Sequence, residues 1–165
     1  MSTPLSGKEA GNTTDMPSTR ELYEKYESHM RRIADVRYAS AVLQWDQETY
    51  LPSKGNETRS RQIATLNELA HDLFTDERTG HLLESLAAKD DLTDRQQRNI
   101  ELSLYDYTKN KKLTPAFVRQ MSESVNKGFH AWLQARKEND FTSFSQPLKE
   151  VVAFKQQEAD MLGFS

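Results

Sequence analysis

The chain has 165 residues, about one domain's worth, and its 22 Lys and Arg against 25 Asp and Glu leave a net charge of −3, so no overall field favours nucleic acid or an anionic membrane. With no cysteine, disulfide frameworks, thiol nucleophiles and Cys-type zinc sites are excluded together, and any metal must be held by histidine and carboxylate. The apolar fraction of 36% beside 28% charged residues is thin for a self-sufficient core, which points to long, solvated helices or to a core that is completed by other polypeptide.

Residues 1–17, rich in Ser, Thr, Gly, Asn and Pro without a periodic apolar face, are expected to form a flexible tail, with residues 18–165 as a single helical domain. Ser18 with Glu21 makes a capping box, since each side chain can satisfy an orphan amide at a helix start. Leu22, Tyr26, His29, Ile33, Val36, Ser40 and Leu43 then recur at spacings of four and three, the stripe of one long helix. Pro52, Gly55 and Asn56 break it. Ile63, Leu66, Leu69, Ala70 and Leu73 predict a second helix over about 57–74. Asp76 caps a third that carries Leu82, Leu83 and Leu86, and Thr93 with Gln96 opens a fourth with Ile100, Leu104 and Tyr107.

The fourth helix closes on Lys109, Lys111 and Lys112, where cations suit the unpaired carbonyls of a last turn; a solvated helix end is the simpler reading than a phosphate site. Thr114 before Pro115 starts a fifth helix with Phe117, Met121, Val125, Phe129 and Trp132 on one face. A sixth is expected from Ser145-Gln146-Pro147 through Val151, Val152 and Phe154, with Gly163 as its stop. Nothing reads as a strand, so the expected fold is all-α, about six helices in an antiparallel layered or bundle arrangement.

No apolar run is long enough to span a membrane, and the first nineteen residues are too polar for a secretory signal, which makes the cytoplasm the expected compartment. Among the four histidines, His29, His71, His81 and His130, no pair has the His-Glu-x-x-His spacing that places two imidazoles and a general base on one helical face. Glu68 with His71 matches a single Glu-x-x-His step of the ferritin-like di-iron bundles, but that design needs a second step, and none exists here. His29 lies on an apolar stripe, where a buried histidine satisfied by its neighbours is the ordinary explanation. No phosphate loop and no nucleophile elbow is present. The chain alone offers no catalytic constellation.

Two dense clusters remain. Leu43 to Pro52 packs Trp45, Asp46, Glu48 and Tyr50 into ten residues, either as a packed helix corner or as the wall of a binding cleft. Asp46 and Glu48 are two apart and face different sides of a helix, a poor acid/base pair. Phe129 to Arg136 is the second, with core packing as its default reading.

Trp45-Asp46-Gln47-Glu48-Thr49 with Pro52, then Arg59, Gln62, Ala64-Thr65-Leu66 and Leu69-Ala70-His71, resembles the N-terminal region of the Taq-type metallocarboxypeptidases, peptidase family M32. Trp132, Ala135-Arg136, Glu138-Asn139-Asp140-Phe141, Phe144, Pro147-Leu148 and Leu162-Gly163-Phe164 continue the resemblance, which runs from about Leu22 to Phe164. It implies a largely helical, usually homodimeric cytoplasmic zinc enzyme with a deep groove that removes C-terminal residues from peptides. It further implies a zinc held by a His-Glu-x-x-His helix and a downstream glutamate, the helix glutamate activating a bound water. Those elements lie beyond the stretch resembled, because family members are several times longer. The expectation is therefore an N-terminal scaffold or groove-wall portion with no catalytic residue and no cofactor of its own, zinc belonging to the full-length family. Trp45, Asp46, Thr49 and Arg59 are its candidate groove or inter-segment contacts. Peptide would be a partner only in a full-length context, and a second copy or a missing C-terminal segment would cover an exposed face. A free-standing helical interaction module and a ferritin-like metal carboxylate bundle stand as alternatives.

Overall fold

The computed structural model describes residues 17–164; the tail predicted at the N-terminus lies, but for Pro17, outside the described residues. Among the described residues six α-helices follow one another: α1 (Thr19–Thr49), α2 (Asn56–Thr75), α3 (Glu77–Ala87), α4 (Asp94–Asn110), α5 (Pro115–Glu138) and α6 (Phe141–Leu162), with one 3-10 turn at Ser53–Gly55 between the first two. Among the described residues there is no strand, and the fold is all-α.

The predicted starts are built as expected. Ser18 Oγ accepts from the Glu21 amide while the Ser18 amide donates to the Glu21 carboxylate at 2.8 Å, and Thr93 with Gln96 repeats the arrangement at α4. Asp76 caps α3, and Thr114 caps α5 with Pro115 at its first position. Reciprocal bonds of this kind satisfy amides that a helix start leaves unpaired, so these residues fix where each helix begins. Gly163, at φ 87°, stops α6 in the left-handed region that glycine occupies without a Cβ penalty.

The start of α6 differs from the expectation. Asn139 (φ 53°) ends α5 in the left-handed region, Asp140 at once caps the next helix by accepting from the Thr142 amide at 2.9 Å, and Pro147 sits inside α6 and not at its first turn. Asparagine tolerates the left-handed turn and aspartate is a strong N-cap, so the two together reverse the chain in a single step. Packing of α6 along α5, including Phe117 against Phe154 at 5.8 Å between ring centroids, offsets the hydrogen bond that Pro147 cannot make.

The main core lies where α3 and α4 close over the N-terminal half of α1 and the end of α2. It holds Tyr23, Tyr26, Ile33, Phe74, Leu83, Leu86, Ile100 and Tyr107. Gly80 permits the closest approach within it: a Cβ there would stand 2.4 Å from the Tyr107 hydroxyl. His29 is half-buried at its edge with Nε2 2.7 Å from Thr79 Oγ1 and 3.1 Å from the Leu73 carbonyl, the satisfied histidine that the stripe implied.

The other half is a row in which α2 packs on both α1 and α5, and α5 packs on α6. Here the apolar supply runs short, and no residue of α6 is fully buried. Lys112 reaches across to donate to the Leu162 carbonyl at 3.1 Å, and Lys109 lies over the Tyr105 and Phe164 rings. The basic cluster thus ties the end of α4 to the end of α6, a cation placed at a helix C-terminus as the dipole favours. Leu69, expected on the inner stripe of α2, is largely exposed.

Candidate functional site

The C-terminal third of α1 presents three different faces to its surroundings. Outward, Tyr38, Val42 and Trp45 follow at helical spacing and are all exposed, Trp45 at 58% and Tyr50 just beyond at 74%, the two rings meeting edge-on at 5.5 Å. Core packing therefore does not account for these exposed rings of the first cluster. The second cluster is likewise only partly interior, with Trp132 and Leu133 exposed on α5. Thr49 turns its hydroxyl back to the Trp45 carbonyl at 2.7 Å, a local bond within the helix.

On the second face Asp46 meets Arg59 of α2. The guanidinium forms an ion pair with the carboxylate, donates from the same nitrogen to the Leu43 carbonyl at 3.1 Å, and donates from Nε to Gln62 Oε1 at 3.1 Å. The Arg59 side chain is 16% exposed and that of Asp46 34%, so the pair is shielded from water on most sides. Only a planar, multi-donor head can serve all three acceptors at once. Of the four sequence candidates, then, the structure brings Asp46 and Arg59 together and leaves Trp45 and Thr49 on the outer surface. Glu48 is exposed.

The third face is one the sequence reading passed over. Ser40 and Gln47 are seven residues apart on the buried side of α1, and between them and α5 runs a ladder of polar side chains. Ser40 Oγ donates to Asn67 Oδ1 (2.9 Å), and Asn67 Nδ2 donates to Ser122 Oγ (2.9 Å). Asn126 Nδ2 donates to the Ser122 carbonyl (2.8 Å), and Gln47 Nε2 donates to Asn126 Oδ1 (3.0 Å). The available signal was the phase: Gln47 continues the apolar stripe of α1 past Ser40 and Leu43. Beside the ladder opens a hollow of about 480 Å³ between α1, α2, α5 and α6, walled by Val118, Met121, Val125 and Phe129, with Gln44 and Lys155 at its rim. A second hollow of about 380 Å³ lies between the start of α2 and α5, where Glu57, Arg61, Glu123 and Lys127 mix both signs of charge around His130. Burial pushes the His130 imidazole below its usual pKa and so favours its neutral form.

His71 and Glu68, the one Glu-x-x-His step, each have a structural partner. His71 is buried with Nε2 2.8 Å from the Leu113 carbonyl, which fixes that nitrogen as a donor, and Glu68 is held by Arg119 at 2.7 Å. The Glu-x-x-His step is thus spent on joining α2 to α5 and to the loop before it, and the ferritin-like alternative has no ligand pair left. Among the described residues no three His, Asp or Glu side chains are grouped to hold an ion.

Residues 25–165 match the family described as Carboxypeptidase Taq (M32) metallopeptidase. The chain belongs to the M32 family. This M32 chain is 29% identical over 137 residues to carboxypeptidase 1 of Bacillus subtilis strain 168, a match that covers 82% of the chain and 27% of that protein. A solved structure described as BsuCP superposes with a TM-score of 0.84 at 26% identity, covering 87% of this chain and 29% of the other. Another, described as CHT, is 49% identical with a TM-score of 0.66 over the same 87% and 29%. The M32 chain therefore spans a little over a quarter of the length of the relatives it matches. Among the described residues, no helix is long and apolar enough to cross a membrane.

Proposed function

We propose that this chain is the N-terminal helical portion of a cytoplasmic zinc carboxypeptidase that removes C-terminal residues from peptides, acting as scaffold and groove wall. In this reading the zinc ligands and the activated water come from polypeptide outside it. The observation that carries the reading is the match of residues 25–165 to the M32 family over little more than a quarter of its relatives' length. The commitment of His71 and Glu68 to structural partners supports it. The exposed row Tyr38, Val42 and Trp45 is the surface that the missing polypeptide would cover, with Thr49 beside it. Asp46 and Arg59 fix the angle between α1 and α2 behind that surface. Peptide is the partner of the whole enzyme, and neither nucleic acid nor a membrane is expected to bind.

Two experiments test this. The purified chain supplied with zinc is expected to release no amino acid from a blocked dipeptide, and turnover by the chain alone would overturn the non-catalytic assignment. Carboxypeptidase 1 of Bacillus subtilis with its matched quarter replaced by this chain is expected to keep zinc-dependent trimming; a folded, zinc-loaded chimera without activity would count against the groove-wall role. The same exposed row also fits a second reading, a free-standing module that pairs with another copy or a protein partner. Sedimentation that stays strictly monomeric at high concentration would remove the self-association form of it.

A further inference from the structure

We propose that the cleft between the N-terminal half of α1 and the turn from α2 to α3 binds the phosphoryl group of a small phosphate monoester through Lys25, Arg32 and Arg78. The inference stands apart from the carboxypeptidase reading and rests on how charge is placed around this one hollow.

Lys25, His29 and Arg32 recur at spacings of four and three and so share a face of α1. They line a hollow of about 330 Å³, with Asp76, Arg78 and Thr79 across it at the start of α3. One side is fixed by hydrogen bonds: Thr79 Oγ1 donates to the Leu73 carbonyl at 3.1 Å, and His29 Nε2 lies 2.7 Å from the same hydroxyl. Among the described residues Asp76 is the only carboxylate that lines the cleft, and Arg78 already neutralises it. One Asp76 oxygen accepts from the Arg78 amide (2.8 Å) and Nε (2.9 Å), the other from Nη2 (2.9 Å).

Lys25 and Arg32 are left without such an answer. Elsewhere exposed cations are met from within a turn of their own helix, as Arg20 is by Glu24, Arg98 by Glu101 and Lys155 by Glu158. Glu21, one turn before Lys25, is instead turned back to the Ser18 amide and hydroxyl, each at 2.8 Å, and Glu24 is taken by Arg20. Three cations therefore face one paired carboxylate, in a chain whose net charge is −3. A local excess of this kind draws an anion. Two guanidinium groups and an ammonium suit the several oxygens of a phosphoryl group, and its second charge answers a cation that a single carboxylate would leave over. Leu73 and Leu82 on the wall give the ester's apolar part a surface to lie on, and the volume is within the roughly 300–1,000 Å³ usual for small-ligand sites. The start of α3 contributes no free amide of its own to the argument, since Asp76 caps it.

The test is a titration of the isotope-labelled chain at constant pH and ionic strength, followed on the His29 ring and the Thr79 amide. The probe is phenyl phosphate, compared with inorganic phosphate, phenylacetate and sodium chloride. Saturable shifts at both residues are expected with phenyl phosphate, with phenylacetate bound roughly five- to tenfold more weakly and no saturation by chloride. Lys25→Gln and Arg32→Gln should each weaken phenyl phosphate by roughly the same factor, while Lys149→Gln on α6 should leave it unchanged. All three positions are exposed, and unchanged helical circular dichroism identifies the variants that remain folded. No saturable shift, phenylacetate bound as tightly as phenyl phosphate, or undiminished binding in a folded Arg32→Gln chain would each overturn the site. Inorganic phosphate bound more tightly than phenyl phosphate would assign the cleft to the free ion and overturn the monoester.

Discussion

Arg59 joins α1 to α2 through one planar head that faces the Asp46 carboxylate, the Leu43 carbonyl and the Gln62 amide oxygen together. Arg59→Met keeps most of the stem's packing but removes all of these bonds and leaves Asp46 half-shielded without its cation. The loss should be about 1–3 kcal/mol, read as a lower urea midpoint with an unchanged slope, and Arg59→Lys should recover only part of it. Asp76 makes the complementary case for a carboxylate. The Arg78 side chain and then the Arg78 amide donate to it, and together they lower its pKa from 3.8 to about 2. A folded-state pKa below the unfolded one contributes stability that is complete above the unfolded value and fades as pH falls through the folded one. Asp76→Asn should therefore flatten the fall in unfolding midpoint between pH 4 and pH 2 while leaving a pH-independent capping bond. A wild-type slope in that variant would mean that other carboxylates govern acid unfolding.

At the level of helices, Pro147 in α6 is the clearest local conflict. It has no amide to give the Ser143 carbonyl and its ring crowds that turn, so Pro147→Ala should raise stability by about 1–3 kcal/mol and increase protection from hydrogen exchange on both sides of the site. The same residue explains the one misplaced helix start. Proline before an apolar run is the usual mark of a first turn, and Ser145 looked like its cap; the stronger signal, Asn139 followed by Asp140, lay inside a polar run that reads equally well as a loop. Caps elsewhere were legible because serine, threonine and aspartate stood just ahead of an unambiguous 3.6-residue period. The site was less legible than the fold. Polar residues in an apolar phase, Ser40, Gln47, Asn67 and Asn126, can be read as errors in a stripe until the partners they meet across three helices are known. Pairing of Asp46 with Arg59 across a break at Pro52 follows from no spacing rule, since it depends on the angle at which α2 leaves the 3-10 turn.

For the molecule as a whole, the unequal packing of its two halves ties composition to function. The half around Ile33, Leu83, Leu86 and Ile100 is closed. The other half ends in helix faces that bury nothing fully on α6 and leave Tyr38, Val42 and Trp45 uncovered on α1. Single exposed apolar residues are ordinary, but a row that includes a tryptophan is the surface that the proposed scaffold role would have further polypeptide cover. Tryptophan emission reads this directly. With Trp132→Phe, leaving Trp45 as the reporter since the chain has two tryptophans, the isolated chain should emit at the long wavelength of a hydrated indole. The same residue in the chimera with the remaining three-quarters of the Bacillus subtilis enzyme should shift to the blue and resist quenching by iodide. Val42→Glu should weaken that assembly while leaving the isolated chain's melting temperature nearly unchanged, because Val42 is 62% exposed within it. If Trp45 stayed equally hydrated in both settings, the row would have to face substrate or solvent, and the missing polypeptide would pack elsewhere.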